Sequence, residues 1–401
     1  MQRLIIKRKT KKNFLLSLLT NLKQELIFMV LNKHNHITGS RLRDARILAN
    51  KTAKEVAAQI GVSAQALSLY EHEKATPNAE NFRQLSIIYG LPISFYYKPE
   101  ITSKPDGDVY FRSFSSATKL KRDKAFTQAK LFVNDIVGLI GSKIKFPPVD
   151  PLFNKIKTST NIDEDNFDYE VMAKVIRRSW NLGYEPIQDL MYELEKRGII
   201  IMVIDLPEQI DGFSFWFGGR PYMVLNSENN FFRLRMSMAH ELCHLFFHGA
   251  LDDISKDLKR IEQDAKNFAG AFLLPDVTVK KYINSATLQE LARLKPQTKL
   301  SITGMIKRCS QLTLISPERE VSLQKQISSK RWRKVEPFDD YYSPERPVLI
   351  KQAIELLVDK KIYTKQLLLD TFGLDTHFIE QACSVDPDYF TQSKILYMKI
   401  L

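Results

Sequence analysis

Apolar residues recur at helical spacing through most of the chain, and the first clear block lies between Ser40 and Lys98. Thr52 and Ser63 stand where helix N-caps are expected, and Gly61 suits the left-handed turn that ends a helix. These signals predict five short helices: Arg41–Ala49, Ala53–Ile60, Ala64–Glu71, a fourth from Asn78 to near Gly90, and Ile93–Tyr97.

The periodicity changes in the middle of the chain. Tyr169–Trp180 and Pro186–Arg197 are spaced as amphipathic helices, whereas the Ile and Val run Ile199–Ile204 is typical of a strand. Gly212–Phe217 and Pro221–Leu225 are predicted to pair as a hairpin around two glycines. Helical spacing then returns and continues into the C-terminal region. We therefore expect a mostly helical α+β protein with a small antiparallel sheet.

At 401 residues the chain is too long for one ordinary domain. Residues 119–139 predict a connector helix whose Lys and Arg side chains face solvent, and 147–168, rich in Pro, Asn and Asp, is expected to be loose. The predicted division is 1–36 as a basic, amphipathic extension, 37–100 as the five-helix domain, 101–165 as a connector, 166–280 as the domain with the sheet, and 281–401 as a C-terminal helical region.

The N-terminal extension imitates a signal peptide, because a basic stretch from Lys7 to Lys12 precedes a leucine-rich run. Polar residues interrupt that run, however, and its leucines share one helical face, which favours an amphipathic helix. We also consider that translation starts at Met29, which the intact mass of the native protein would decide. No run of eighteen apolar residues exists, so no membrane span is expected.

The net charge of +13 and the isoelectric point near 9.4 favour a polyanionic partner, with nucleic acid as the leading candidate. The cysteines Cys243, Cys309 and Cys383 are scattered and lack metal-binding spacing. They are expected to be free thiols in a reducing compartment, so the predicted location is cytoplasmic.

The strongest chemical signal is the HExxH pattern His240-Glu241-Leu242-Cys243-His244. Residues four apart on a helix lie on one face, so both imidazoles can approach one Zn²⁺ ion, which would leave a position for water. Glu241 is then placed to take the proton of that water. Most neighbouring positions are apolar, which predicts a buried helix, and buried His and Glu need a partner or a metal. His248, one turn later, is expected outside the ligand set.

A third ligand is expected from the following helix, whose apolar stripe runs from Ile261 to Leu273 and ends before Pro275. Glu262 and Asp264 flank this stripe at similar angles, so periodicity does not choose between them. A carboxylate about twenty residues after HExxH fits a thermolysin-like His-His-Glu arrangement.

The stretch from Arg235 to His248, with the following E-x-x-A-x-x-F-A-x-x-x-L-L-P, resembles the ImmA/IrrE family of bacterial metallopeptidases. The resemblance implies a zincin-like domain with His240 and His244 as zinc ligands, Glu262 as the third ligand and Glu241 as the catalytic base. It also implies a protein substrate, since peptidases of this family cut a helix-turn-helix repressor and so release its genes. Lys266 departs from the family pattern, in which a small polar residue is usual.

The five-helix block resembles the Cro/repressor (XRE) family, with the λ-repressor-like fold, through R-L-R-x-A-R, E-V-A-x-x-I-G-V-S and L-x-x-Y-E. Lys299–Ser316 has the shape of a second, smaller helix-turn-helix. The XRE resemblance implies binding to a double-stranded DNA operator, and Gln65 is suited to adenine. The same resemblance implies that the residues facing the major groove are Ser63, Ala64, Gln65 and Ser68. It also implies phosphate contacts from Arg41, Arg43, Lys51, Lys54 and Lys74.

The predicted reading helix carries no Lys or Arg between Ser63 and Tyr70, and Glu71 and Glu73 follow it. Guanine readout is therefore not expected, and affinity would depend on phosphates and fall steeply with salt. The alternative is a helical bundle that binds a protein. A homodimer is expected, by analogy, if the operator is palindromic.

Two functional hypotheses follow. The first is a DNA-binding regulator with a zinc endopeptidase domain. Its substrate is a separate repressor, or the fused DNA-binding module directs the peptidase to its operator. The second is a transcription factor or antitoxin-like binder whose zinc site is structural or sensory. Glu241→Gln should keep zinc and abolish cleavage, whereas His240→Ala should lose the metal.

Overall fold

The computed structural model describes residues 36–106, 117–159, 168–248 and 258–391. The amphipathic helix and the alternative start at Met29, both predicted for the N-terminal extension, lie outside the described residues. Within the described ranges, no helix is both long and apolar enough to cross a bilayer.

The elements of the described chain are, in order, α1 Gly39–Leu48, α2 Ala53–Gln59, α3 Ala64–Glu71, α4 Ala79–Tyr89, α5 Ile93–Tyr96, α6 Lys119–Leu131, a π-helical turn Phe132–Val137, α7 Gly138–Gly141, α8 Pro151–Ser159, α9 Tyr169–Ser179, α10 Leu190–Lys196, β1 Ile200–Ile204, β2 Gly212–Phe217, β3 Arg220–Asn226, α11 Phe231–Cys243, a π-helical turn His244–His248, α12 Leu258–Leu273, α13 Asp276–Tyr282, α14 Leu288–Thr298, α15 Ile302–Gln311, α16 Pro317–Ser329, α17 Leu349–Asp359, α18 Lys365–Phe372 and α19 Thr376–Ala382. The mostly helical α+β class is confirmed.

The chain divides into two compact units, of which the first contains α1–α5 together with residues 365–376. Its five N-terminal helices are those predicted, and they enclose a core that includes Leu42, Val56, Leu67 and Leu85. The caps explain the helix boundaries. Thr52 and Glu55 form a reciprocal capping box at α2, and the Ser63 hydroxyl accepts a hydrogen bond from the Ala66 amide at α3.

Helix α18 belongs to this first unit although it lies far along the chain. The buried ammonium of Lys98 donates a hydrogen bond of 2.6 Å to the carbonyl oxygen of Phe372, the last residue of α18. Gly373 follows with φ of +55°, and a side chain there would meet Ser94 and Lys98. Glycine at this position therefore permits both the left-handed turn and the close approach.

The second unit contains a three-stranded sheet with the order β1-β3-β2. Strand β2 pairs antiparallel with β3, as the hairpin pattern predicts, but β1 pairs parallel with β3, from Ile200 opposite Tyr222 to Ile204 opposite Asn226. The sheet is therefore mixed, and the expectation of an antiparallel sheet is wrong. Since β1 is an almost uninterrupted buried apolar run, its pattern suits a strand covered on both faces, as parallel strands usually are.

Helix α11 lies inside the second unit and packs on β2, β3 and α12. Ten of its thirteen residues are buried, which agrees with its apolar pattern around the whole helix circumference. Asn230 caps its start by accepting a hydrogen bond from the Arg233 amide. Helix α12 buries Ala265, Phe268 and Phe272 in the same core. The packing of α11 on α12 places the two predicted ligand-bearing helices side by side.

Candidate metal centre

His240 and His244 lie one turn apart at the end of α11, and their Nε2 atoms are 3.0 Å from each other. The carboxylate of Glu262, on the first turns of α12, reaches both rings, with Oε2 3.4 Å from His240 Nε2 and Oε1 3.5 Å from His244 Nε2. Ligands held about 2.1 Å from a tetrahedral zinc ion stand about 3.4 Å from one another. The spacing and the two-imidazole, one-carboxylate donor set therefore fit zinc.

The structure brings Glu262, and not Asp264, to the two histidines. The potential ligand atoms of His240, His244 and Glu262 all lie within 4.8 Å of one another, and this is the group of metal-ligand type found within the described residues. Asp264 is two residues further along α12, so its side chain leaves the helix about 200° away from that of Glu262. The choice that periodicity left open is thus made by the packing of α12 on α11, which brings Glu262 to the two histidines.

Glu241 is not among the three potential ligands, and it is buried, with only 3% of its surface exposed. The Ser214 hydroxyl on β2 donates to Glu241 Oε2 over 2.8 Å and lies 3.2 Å from the main-chain oxygen of the same residue. Burial raises the pKa of Glu241 to about 7, although His240 and Ser214 act in the opposite direction. A carboxyl with this pKa can exchange a proton near neutral pH.

The charges around His240 oppose one another. Burial disfavours its charged form, but the hydrogen bond with Glu262 and the charge of Glu241 outweigh burial, so the pKa of His240 is raised. Lys266, the departure from the family pattern, acts against that rise from its exposed position one turn after Glu262 on α12. It therefore puts a positive charge within electrostatic reach of the cluster.

Two buried arginines that the sequence did not single out hold the far end of α12. Arg177 Nη1 donates to the carbonyl oxygen of Phe272 over 2.6 Å, and Arg308 Nε donates to that of Leu274 over 2.9 Å. The last carbonyl groups of a helix lack partners within the helix, so these bonds satisfy them. The sequence offered one sign of their role, because each arginine stands next to an apolar residue of a helix core. Arg177 follows Ile176 in α9, and Arg308 precedes Cys309 in α15, and all four are buried.

The candidate DNA-reading residues are exposed, as that role requires. These are Ser63 and, on α3, Ala64, Gln65 and Ser68. Arg43, Lys54 and Lys74 are exposed as well, and Lys51 is partly exposed. The expectation for Arg41 is wrong, because its side chain is buried, donates to the Pro99 carbonyl oxygen and lies over the Phe95 ring.

The two acids after the reading helix have structural partners. Arg46 forms a two-pronged ion pair with Glu71, with distances of 2.5 and 2.8 Å, and so joins α1 to the end of α3. Glu73 accepts a hydrogen bond from the Gly39 amide at the start of α1. Arg46 largely neutralises Glu71, so that carboxylate adds little negative charge beside the reading face.

Two family models match parts of this chain. Residues 42–96 match a helix-turn-helix family model, and residues 194–302 match the peptidase M78 family model, described as an IrrE N-terminal-like domain. The chain thus contains one segment similar to helix-turn-helix domains and another similar to the IrrE N-terminal domain of the M78 peptidase family. It is also similar to the HTH-type transcriptional regulator ImmR of Bacillus subtilis (strain 168), with 29% identity over 98 residues, or 24% of this chain and 75% of ImmR.

The IrrE-like match contains His240, His244 and Glu262, and also Glu241 with its partner Ser214. Arg177 and Arg308 lie outside the matched residues, on the helices that flank them. The IrrE-like domain thus supplies the complete cluster, while segments on either side fix the helix that carries Glu262. The side chain of His248 lies outside the part of the structure that is described.

Proposed function

We propose that the protein is a cytoplasmic, DNA-binding transcriptional regulator whose IrrE-like domain is a zinc-dependent endopeptidase acting on a helix-turn-helix repressor. The observation that carries the proposal is the convergence of His240, His244 and Glu262, with Glu241 adjacent in sequence but outside the cluster. This separates three ligands from one base, as a catalytic zinc site requires. All three cysteines are free, which fits a reducing compartment.

In this proposal His240, His244 and Glu262 hold the ion. Zinc bound there supplies a Lewis acid for the scissile carbonyl and a water of lowered pKa. Glu241 accepts the proton that the attacking water loses and passes it to the departing amine. Ser214 holds the carboxylate of Glu241 in one orientation, so it acts as a positioning residue.

The DNA-binding half of the proposal depends on the exposed start of α3. Gln65 is suited to a two-pronged contact with adenine, while Ser63, Ala64 and Ser68 line the same surface. The phosphate contacts are assigned to Arg43, Lys51, Lys54 and Lys74. The partner is a duplex operator, and a palindromic operator would be bound by a homodimer.

The substrate follows from the family resemblance and from the similarity to ImmR, a transcriptional regulator of the helix-turn-helix type. The chain carries a domain of that type itself. We therefore propose that the substrate is a helix-turn-helix repressor. It is a separate repressor, or the chain's own DNA-binding module directs the peptidase to its operator.

A second candidate is a regulator whose zinc is structural or sensory. The depth of the site favours it, since His244 is 2% exposed and Glu241 is 3% exposed. A structural site needs the three ligands and the metal but does not need the proton-accepting carboxylate. The two candidates therefore make different predictions for Glu241.

The deciding experiment compares the wild-type chain with Glu241→Gln and His240→Ala. Zinc content and cleavage of the helix-turn-helix repressors encoded beside its gene are measured on the purified proteins. The endopeptidase proposal expects Glu241→Gln to retain zinc and lose cleavage, and His240→Ala to lose both. If Glu241→Gln regulates genes in the cell as wild type does while His240→Ala does not, the zinc is structural and the peptidase proposal is wrong.

A further inference from the structure

The positive charge of the chain is not concentrated on its helix-turn-helix. Residues 36–106 contain nine Lys and Arg against seven Asp and Glu, although the whole chain has a net charge of +13. The reading residues themselves include no Lys or Arg. Since non-specific affinity for DNA comes from cations that neutralise phosphates, this domain alone offers few of them.

A dense group of cations lies at the C-terminal end of α16, in the second unit. Its members are Lys325, Lys330, Arg331, Arg333 and Lys334, which we name the basic turn. All five are exposed, and no acidic residue occurs between Val321 and Val335. This is a higher density of positive charge than the described helix-turn-helix presents.

The backbone of the basic turn is fixed. The Lys330 amide donates to the Gln326 carbonyl oxygen and the Trp332 amide donates to that of Ile327. Arg331, between them, adopts a left-handed φ of +59°, a conformation that usually selects glycine at a helix end. The indole of Trp332 packs against the core of the unit and anchors the turn. Its cations are therefore presented from a rigid support.

The acids nearest in sequence do not neutralise the basic turn. Glu336 and Asp339 turn inward to the fully buried ammonium of Lys295, at 3.0 and 2.5 Å. Glu320 lies 3.5 Å from Lys307. Within the described structure none of the five cations forms an ion pair, and Arg333 makes one hydrogen bond, to the Ser328 hydroxyl. All five side chains are exposed to solvent, and Lys330 also lies over the Trp332 ring, 5.4 Å from its centre.

Stabilisation of the α16 dipole does not explain the whole group. A cation at a helix C-terminus acts within the last turn, which accounts for Lys330. Arg333 and Lys334 lie beyond the helix, and Lys325 lies before its last turn.

We propose that the basic turn binds the phosphate backbone of duplex DNA, as a contact separate from the helix-turn-helix. Guanidinium groups suit phosphate because their planar fork donates two parallel hydrogen bonds, and Arg331 and Arg333 provide two such forks. DNA is the polyanion that a chain with a helix-turn-helix domain meets. The contact adds affinity and carries no sequence information. The inference rests on the DNA-binding half of the proposed function.

The test uses the full chain with the triple substitution Arg331→Gln, Arg333→Gln and Lys334→Gln. Its binding to a fluorescent duplex of random sequence is measured by anisotropy over a series of salt concentrations. The matched control is Lys119→Gln, Lys121→Gln and Lys124→Gln on α6, which removes the same charge from another surface. We expect the plot of log affinity against log salt to become shallower by about 2 to 3 in the triple variant and by less than about 1 in the control.

Equal changes in the two variants would show a general charge effect and overturn the inference, as would an unchanged slope in the triple variant. Wild-type binding that depends on salt but not on the basic turn would leave the proposed function intact. A wild-type chain that binds no duplex at low salt would overturn both. Tighter binding to anionic phospholipid vesicles than to DNA, lost in the triple variant, would assign the surface to lipid and contradict the inference. Thermal melts show that each variant is folded.

Discussion

Single residues show where a sequence pattern is sufficient and where it fails. His240, Glu241 and His244 could be selected from the sequence because their relation is set by one helical turn. Ser214 contacts Glu241 from another element, 27 positions away in the chain, so that contact exists only after β2 packs against α11. Arg41 shows the opposite case, because its charge suggested a phosphate contact but its environment is the Phe95 ring and a backbone carbonyl.

Ser214→Ala tests the assignment of Ser214 as a positioning residue. The variant removes one hydrogen bond to a carboxylate, and we expect cleavage to slow by about tenfold while zinc content stays at the wild-type level. Single-turnover cleavage and metal analysis measure the two quantities. Ser237→Ala is the control, because Ser237 lies on α11 but bonds to the Arg233 carbonyl oxygen. A Ser214→Ala variant as fast as the control would remove the role.

At the scale of elements, the hydrophobic pattern located the helices and strands around the site closely, since local spacing determines them. The predicted strand Ile199–Ile204 is β1 with one residue fewer, and Tyr169–Trp180 is α9 with one residue fewer. The segment expected to be loose contains α8, whose Phe153 stacks on Phe246 with ring centres 4.2 Å apart. Its helix depends on that tertiary contact, and the Pro, Asn and Asp around it concealed the pattern.

Arg177→Met tests the link between α9 and the helix that carries Glu262. The change leaves the Phe272 carbonyl and its neighbours without their buried partner, and we expect a loss of about 3 kcal/mol in the free energy of unfolding. Zinc affinity should fall too, because α12 is held less firmly. Urea unfolding and competition with a chromophoric chelator measure these effects. The exposed neighbour Arg178, changed to Met, should alter neither. Equal behaviour of the two variants would contradict the link.

Glu195 is a buried carboxyl that caps α17 from another helix, accepting hydrogen bonds from the Val348 and Leu349 amides at 2.9 and 3.0 Å. Burial raises its pKa from 4.5 to about 7. Between those values the folded state holds the proton more tightly than the unfolded state, so the contribution of Glu195 to stability falls as pH rises through this range.

Glu195→Gln should therefore reduce the loss of stability between about pH 5 and about pH 8. Urea unfolding at the two pH values measures the difference. Glu208→Gln, at an exposed position, is the control and should leave the pH dependence unchanged. If the wild-type protein gains stability between these two pH values and Glu195→Gln does not, the direction of the pKa shift is contradicted.

At the scale of the whole molecule, the sequence indicated two functional regions. It did not indicate that a segment near the C-terminus packs back into the first unit. The IrrE-like match ends at residue 302, and the helices after it were predicted only as a C-terminal helical region. Residues 365–376 join the first unit, while α17 before them and the chain from His377 onward belong to the second. No local pattern encodes such a return, because it depends on contacts such as that of Lys98 with Phe372, 274 positions apart.

Phe372→Ala tests whether α18 is an integral part of the helix-turn-helix unit. Phe372 is fully buried there, so its truncation should lower the stability of that unit by about 3 to 5 kcal/mol. Hydrogen–deuterium exchange should then accelerate in α1–α5 and DNA affinity should fall, while α11, α12 and zinc content remain as in wild type. Ile87→Ala, an exposed apolar truncation on α4, is the matched control and should leave exchange unchanged. Faster exchange in α11 and α12 instead would show that α18 supports the peptidase domain. If α1–α5 keep their protection, the helix-turn-helix is complete without α18, and the long return of the chain has no part in binding DNA.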